Sequence, residues 1–263
     1  MESRMDMING SLGDKIIRYA LPLAVTGVLQ QLFNAADLAV VGQFSGKEAM
    51  AAVGGNAPVI GLLVNLLVGI SLGSNVMIAR SIGQKDNETI TKTVHTSVVM
   101  ALLGGALLAV LGEFLAPGVV DMLDVPGDVY SMAVKYLRIY LAGMPVIMLY
   151  NFEAAIFRSC GDTRTPLAAL VISGILNVIL NLFFVLGLGM DVDGVATATV
   201  ISNLISSVIL FAALVKTKQA IRVEPKKLRV HGDVLGEMLK IGVPAGVQGM
   251  IISFANISIQ SAA

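Results

Sequence analysis

Charge is placed so unevenly along this chain that long stretches of it have to avoid water. Between Arg18 and Asp37 lie 18 uncharged residues, between Glu48 and Arg80 there are 31, and between Lys92 and Glu113 there are 20. Between Arg164 and Asp191 there are 26, between Asp193 and Lys216 there are 22, and 23 uncharged residues follow Lys240. A helix needs roughly 20 apolar residues to cross the hydrocarbon core of a bilayer. A further stretch, Tyr130 to Phe157, has an uncharged centre of 14 residues, with Lys135, Arg138 and Arg158 placed to snorkel to the interfaces. Seven spans are predicted. With 56% hydrophobic and only 14% charged residues, a water-soluble bundle would lack the polar surface to cover them.

The remaining composition is exclusionary. Eighteen basic and 18 acidic residues leave no net charge, which argues against a nucleic-acid partner. One cysteine, Cys160, cannot form an internal disulfide, and two histidines far apart in sequence, His95 and His231, supply no zinc-type cluster. No glycine-rich phosphate loop with its lysine and no histidine-containing catalytic arrangement stands out, so the chain does not read as an enzyme.

The connections alternate in sign. Segments 1–18, 80–92, 158–164 and 216–240 hold 15 of the 18 Lys and Arg residues. The opposite connections hold Lys47, Lys135 and Arg138 beside seven acids: Glu48, Glu113, Asp121, Asp124, Asp128, Asp191 and Asp193. Because basic loops stay in the cytoplasm, the N-terminus is expected there, in a multi-pass protein of the inner (cytoplasmic) membrane. Pro22 and Asp37 inside the first span do not suit a cleaved signal peptide, so it is expected to be retained. Gly83 to Glu88 reads as a cytoplasmic turn, Val125 to Asp128 as an outer turn and Gly187 to Gly194 as an outer hairpin.

One internal repeat emerges at a spacing of 222 residues. Arg18 to Gly27 aligns with Lys240 to Gly249, matching Pro22 to Pro244, and Asn34 falls on Asn256. Six spans separate the copies, so both would run in the same direction, as in transporters built from parallel repeats. The fold expected is an all-α membrane protein: a six-helix transmembrane lobe plus the first helix of a second, parallel-repeat lobe. Residues 1–15 form a cytoplasmic N-terminal segment, 16–215 the lobe, 216–236 a cytoplasmic linker and 237–263 the opening of the next lobe, whose remainder is missing.

Polar residues inside spans are costly and tend to face a cavity or a partner. Gln30, Asn34 and Asp37, spaced by four and three, share one stripe of the first helix. A capping role at the outer interface is the plain reading of Asp37; a carboxylate in a low-dielectric cavity, favouring its protonated or cation-bound form, is the functional one. The fifth span places Ser173, Asn177 and Asn181 on one face, and the sixth carries Thr197, Thr199, Ser202, Asn203 and Ser206. Interhelical hydrogen bonding accounts for any one of them alone. Together with Asp37 they offer an all-oxygen set suited to a proton or a hard monovalent cation. Glu153 is expected to pair with Arg158 or Arg164 at the cytoplasmic end. Pro22, Pro58 and Pro145 are expected sites of bending.

The Pro22 to Asp37 helix, Ala79-Arg80-Ser81-Ile82-Gly83-Gln84-Lys85-Asp86, the run from Arg158 to Pro166, and Gly194 to Ser202 together resemble the multidrug and toxic compound extrusion (MATE) transporters over nearly the whole chain. The resemblance implies two six-helix lobes that exchange cationic or amphipathic compounds for protons or sodium. It places the family's first-helix aspartate on Asp37, its fifth-helix pair on Asn177 and Asn181, and its sixth-helix threonine on Thr199. Asn181 departs from the pattern, since the archetypal site has a second carboxylate there.

The function expected is therefore cation-coupled export of drugs or toxic compounds across the bilayer, with no cofactor beyond a coupling proton or sodium ion. Asp37, Asn177, Asn181 and Thr199 would hold that ion. Gln30, Asn34, Ser173 and Asn203 are candidates for the substrate cavity. The alternatives are a lipid-linked oligosaccharide flippase, which would be expected to carry basic residues in its cavity, and a membrane fragment without transport of its own.

Overall fold

The computed structural model of the chain describes residues 12–123 and 125–262, and nearly all of them are helical. In order they form α1 (Leu12–Phe44), α2 (Lys47–Gln84), α3 (Asn87–Met122), α4 (Tyr130–Ala142), α5 (Met144–Ser159), α6 (Arg164–Leu182), α7 (Val192–Lys216) and α8 (Gly232–Ala262). A π-helical turn, Phe183–Gly187, extends α6, and a 3-10 turn, Pro225–Lys227, interrupts the link to α8. Most of the expected N-terminal segment, Asp124 and the side chain of Asn256 lie outside the described residues.

Helices α1, α2, α3, α6 with its π turn, α7 and α8 are each long and apolar enough to cross a bilayer. The fourth span, expected over Tyr130 to Phe157 with a bend at Pro145, is broken into two helices. These are α4 and α5, bent by 49° at Gly143. The amide of Gly143 closes α4 by donating to Tyr140 O at 3.0 Å, while its carbonyl opens α5 by accepting from Val146 N at 3.0 Å. Pro145, in the first turn of α5, has no amide proton with which to continue α4. A Cβ on Gly143 would stand 2.4 Å from Val200 Cγ2, so the corner is pressed against α7. Pro22 and Pro58, in contrast, sit inside α1 and α2 without breaking them.

Large apolar side chains point outward. On α3, Leu103, Leu107, Val110 and Phe114 follow the helical period on one face, and Phe114 is 78% exposed. In water such stripes would drive aggregation; against lipid tails they are at home. Inside, one core gathers Val40, Val53, Leu137, Met144, Ile147 and Phe152, and a second gathers Ile78, Val94, Ile156, Phe157 and Leu214.

Helix α8 packs on α2 by backbone contact. A Cβ on Gly69 would lie 2.1 Å from Gly246 Cα, and one on Gly242 would lie 2.5 Å from Ile70 O. Small residues in register are what let membrane helices approach this closely.

Turn chemistry sets the ends. Lys85 takes the left-handed conformation (φ 59°), and Asp86 then caps α3, its carboxylate accepting from Thr89 N at 3.0 Å and Thr89 Oγ1 at 2.6 Å. Asp162 does the same for α6 through Thr165 N and Thr165 Oγ1. The link to α8 is shorter and more structured than the expected 216–236. Helix α8 already starts at Gly232, Ile221 and Val223 enter the second core, and Val223 N donates to Leu214 O. His95, 1% exposed, clasps this link: one ring nitrogen meets Thr91 O at 2.7 Å and the other accepts from Glu224 N at 3.1 Å. His231 joins the same strip of α3 through Thr96, so the two histidines, distant in sequence, serve one contact. Burial and the Arg229 guanidinium hold the His231 imidazole below its ordinary range.

Candidate functional site

A close approach of α1 to α6 creates the site. The Phe33 ring lies over Gly174, where a Cβ would be 1.9 Å from Phe33 Cε2. One turn beyond Phe33 is Asp37; three and seven residues beyond Gly174 are Asn177 and Asn181, on the same face of α6. The aspartate and the asparagine amides are thereby forced together. Helix α7, held by the Gly143 corner at Val200, brings Thr199 to the other side.

The four residues form one hydrogen-bonded group across three helices. Asn181 Nδ2 donates to Asp37 Oδ1 at 2.5 Å and to Asn177 Oδ1 at 3.3 Å. Asn177 Nδ2 donates to Thr199 Oγ1 at 3.4 Å. Thr199 Oγ1 is 3.3 Å from Asp37 Oδ2 and 3.0 Å from Val195 O, with one proton to share between them. Asn181 is fully buried, Asp37 is 8% exposed, and Asn181 Oδ1 is a buried acceptor without a hydrogen-bond partner.

No Lys or Arg forms an ion pair with Asp37 among the described residues. A buried carboxylate held only by neutral donors lacks the charge that would repay its desolvation. The group can meet that deficit by taking a small cation: two carboxylate oxygens, the amide oxygens of Asn177 and Asn181 and the Thr199 hydroxyl are all hard donors. Among the described residues, no three His, Cys, Asp or Glu side chains converge in a way that could hold a softer metal.

The other expected cavity residues stand apart. Gln30 and Asn34 are exposed on α1, and Asn34 Nδ2 reaches only Gln31 Oε1, at 3.3 Å. Ser173 is buried in the α6–α7 seam, accepting from Ser206 Oγ at 2.5 Å and donating to Leu170 O. Asn203 is half-buried and spends its amide on Thr199 O, one turn back. Two neighbours escaped the sequence reading. Tyr136 and Tyr140 of α4 are buried side by side, with ring centroids 6.3 Å apart, within electrostatic reach of Asp37. Their i, i+4 spacing was visible, but nothing in it pointed to α1.

The ion pair expected for Glu153 is absent. Its carboxylate is fully buried, and Ser207 Oγ donates to Oε2 at 2.9 Å. Arg158 lies five residues further along α5, more than one turn away and off the same face.

The probable multidrug resistance protein YoeA of Bacillus subtilis is 29% identical over 250 residues, which is 92% of this chain and 54% of that protein. The probable multidrug resistance protein NorM of Thermotoga maritima is likewise 29% identical, over 252 residues, with the same shares. The chain thus spans about half the length of these curated relatives. A crystal structure of MATE in complex with MaL6 superposes with a TM-score of 0.90 at 26% identity, covering 100% of this chain and 58% of the other. A MOP superfamily transporter from Pyrococcus furiosus, described as having a binding pocket of reverse polarity, superposes with a TM-score of 0.86 at 27% identity, covering 99% and 58%. The MatE family model matches residues 22–183, a stretch running from the proline of α1 through the aspartate and both asparagines of the buried group to the π turn after α6. By this match over more than half its length, the chain is a member of the MatE family, a family of multi-pass membrane transporters and not of enzymes.

Proposed function

We propose that this chain is the N-terminal lobe of a cation-coupled exporter of cationic or amphipathic compounds, a multidrug antiporter of the cytoplasmic membrane with its N-terminus in the cytoplasm. The observation that carries the reading is the buried Asp37 carboxylate, shared by three spanning helices, with neutral donors only and the unpartnered Asn181 Oδ1 beside it. A proton or a sodium ion entering there completes the charge. Asp37 supplies the anion, Asn177 and Asn181 supply amide oxygens, and Thr199 a hydroxyl. A proton on Asp37 removes the charge to which Asn181 Nδ2 and Thr199 Oγ1 donate, and so loosens α1 from α6 and α7, whereas a sodium ion would draw oxygens of the same three helices onto itself. Gln30 and Asn34, exposed on the stripe leading to Asp37, are placed to meet the compound carried.

The carboxylate to amide change Asp37→Asn tests this. In a transporter carrying this lobe joined to a complementary one, it should abolish dye efflux driven by an imposed proton or sodium gradient, with insertion and thermal stability retained. Export at the unmodified rate would refute the role of Asp37. The chain by itself is expected to bind the coupling ion without transporting, because alternating access requires two bodies moving about a shared site.

A further inference from the structure

We propose that Glu153 is a second proton-binding site of this lobe, separate from the Asp37 group. Glu153 is fully buried in α5, and its carboxyl meets one donor, Ser207 Oγ of α7, at 2.9 Å from Oε2. Oε1 is buried with no hydrogen-bond partner. An ionised oxygen left in that state pays the full penalty of an unpaired buried charge, whereas a neutral acid leaves only an ordinary polar atom unpartnered.

Nothing packed around α5 offers the missing charge. The stretches of α2 (49–79), α3 (93–112), α6 (165–182) and α7 (194–215) contain no Asp, Glu, Lys or Arg. The titratable group they do contain, His95, has both ring nitrogens committed, to Thr91 O and Glu224 N. On α5 itself are Tyr150, with a buried hydroxyl lacking a partner, and Arg158, whose Nε is also buried without one. Tyr19 of α1 donates to Arg158 O at 3.2 Å. In α4, Lys135 pairs with Asp193 and Arg138 with Glu113, while Tyr136 and Tyr140 lie toward Asp37. A bound proton is the one neutralising partner available at Glu153.

The site is distinct in position. Its partner Ser207 lies eight residues along α7 from Thr199, about 12 Å by helical rise. It lies on the half nearer Lys216, Arg158 and Arg164, so its proton would exchange with the opposite side of the membrane from that nearer Asp37.

The test is infrared spectroscopy of the purified 263-residue chain in lipid vesicles, following the carbonyl stretch of protonated carboxyl groups in H2O and in D2O at neutral pH. The expected result is a protonated-carboxyl band that shifts in D2O, persists in Asp37→Asn and is lost completely when Glu153→Gln is added in that Asp37→Asn background. Should Glu153→Gln fail to fold, Ser207→Ala serves instead: removing the donor on Oε2 must move the band without abolishing it. In the Asp37→Asn background, a band that survives Glu153→Gln, or stands still in Ser207→Ala, overturns the proposal. So does a band that never shifts in D2O, which would make Glu153 a sealed acid rather than a site. The Asp37→Asn arm keeps the two readings apart, since failure of either site leaves the other's band in place.

Discussion

The α2–α8 seam allows a prediction in which one kind of substitution changes sign along one helix. Gly61 and Gly69 both lie inside α2. A Cβ on Gly61 meets nothing within 4 Å, whereas on Gly69 it would stand 2.1 Å from Gly246 Cα and 2.2 Å from Gly246 N. Gly→Ala in a helix interior is worth about 1 kcal/mol in favour of alanine when no contact intervenes. Gly61→Ala should therefore stabilise by about that amount. At Gly69 the same gain is opposed by steric overlap. Comfortable carbon–carbon contact needs about 3.5 Å, so the two backbones must part by more than about 1 Å. Parting them also opens the neighbouring contact at Gly73, where a Cβ would be 2.1 Å from Met238 O. Overpacking costs typically about 1–3 kcal/mol, and two rigid backbones place this case at the upper end. The net expectation for Gly69→Ala is a loss of about 2 kcal/mol, or roughly 4–8 °C in melting temperature for a chain of this size. Thermal unfolding of both variants in the same detergent decides it. If Gly69→Ala melts at or above the temperature of Gly61→Ala, the seam is not close-packed and the reasoning fails.

Three further outcomes are expected. Asn181→Ala removes the unpartnered Oδ1 offered to the ion; a polar contact with a charged group is worth about 1.5–3 kcal/mol, so sodium binding measured by calorimetry should weaken roughly tenfold or more. His231 has its imidazole held below its ordinary 6.5, so the unfolded chain takes up more protons as pH falls through that value. Its contribution is complete above pH 6.5 and is lost on acidification; amide exchange of residues 217–231, corrected for intrinsic rates, should be faster at about pH 5.5 than at about pH 7.5, and His231→Asn should flatten the difference. Gly143→Ala puts a Cβ 2.4 Å from Val200 Cγ2, and should lower the melting temperature while weakening ion binding, because Val200 adjoins Thr199.

Spans and the core of the site were readable because they rest on short-range rules. Uncharged runs marked six helices, and i, i+4 spacing put Asn177 and Asn181 on one face before any packing was known. What escaped depends on which face meets which neighbour. Gln30 and Asn34 lie on the stripe of Asp37, yet the turn of α1 at Phe33 and Asp37 meets α6 while they stay exposed. Pro145 marked the bend of the fourth span, but hydropathy does not register that the helix breaks outright two residues earlier, at Gly143. Glu153 and Arg158 looked like partners along the chain, but five residues turn them to different faces of α5, and Ser207, 54 residues away, takes the contact. The His95 clasp on Glu224 was invisible for the same reason, its two ends being 129 residues apart.

That clasp changes what the segment between α7 and α8 can do. Fifteen residues of unanchored flexible chain would wander over a root-mean-square distance of about 21 Å, but a strap riveted at its midpoint is two pieces of about seven residues, each reaching only about 15 Å. Residues added before Ile221 would bulge harmlessly outward, while those added after Glu224 would lengthen only the short run up to His231, whose amide is itself pinned to Thr96 Oγ1. The reach of whatever follows is governed by where the rivet sits, not by how long the strap is.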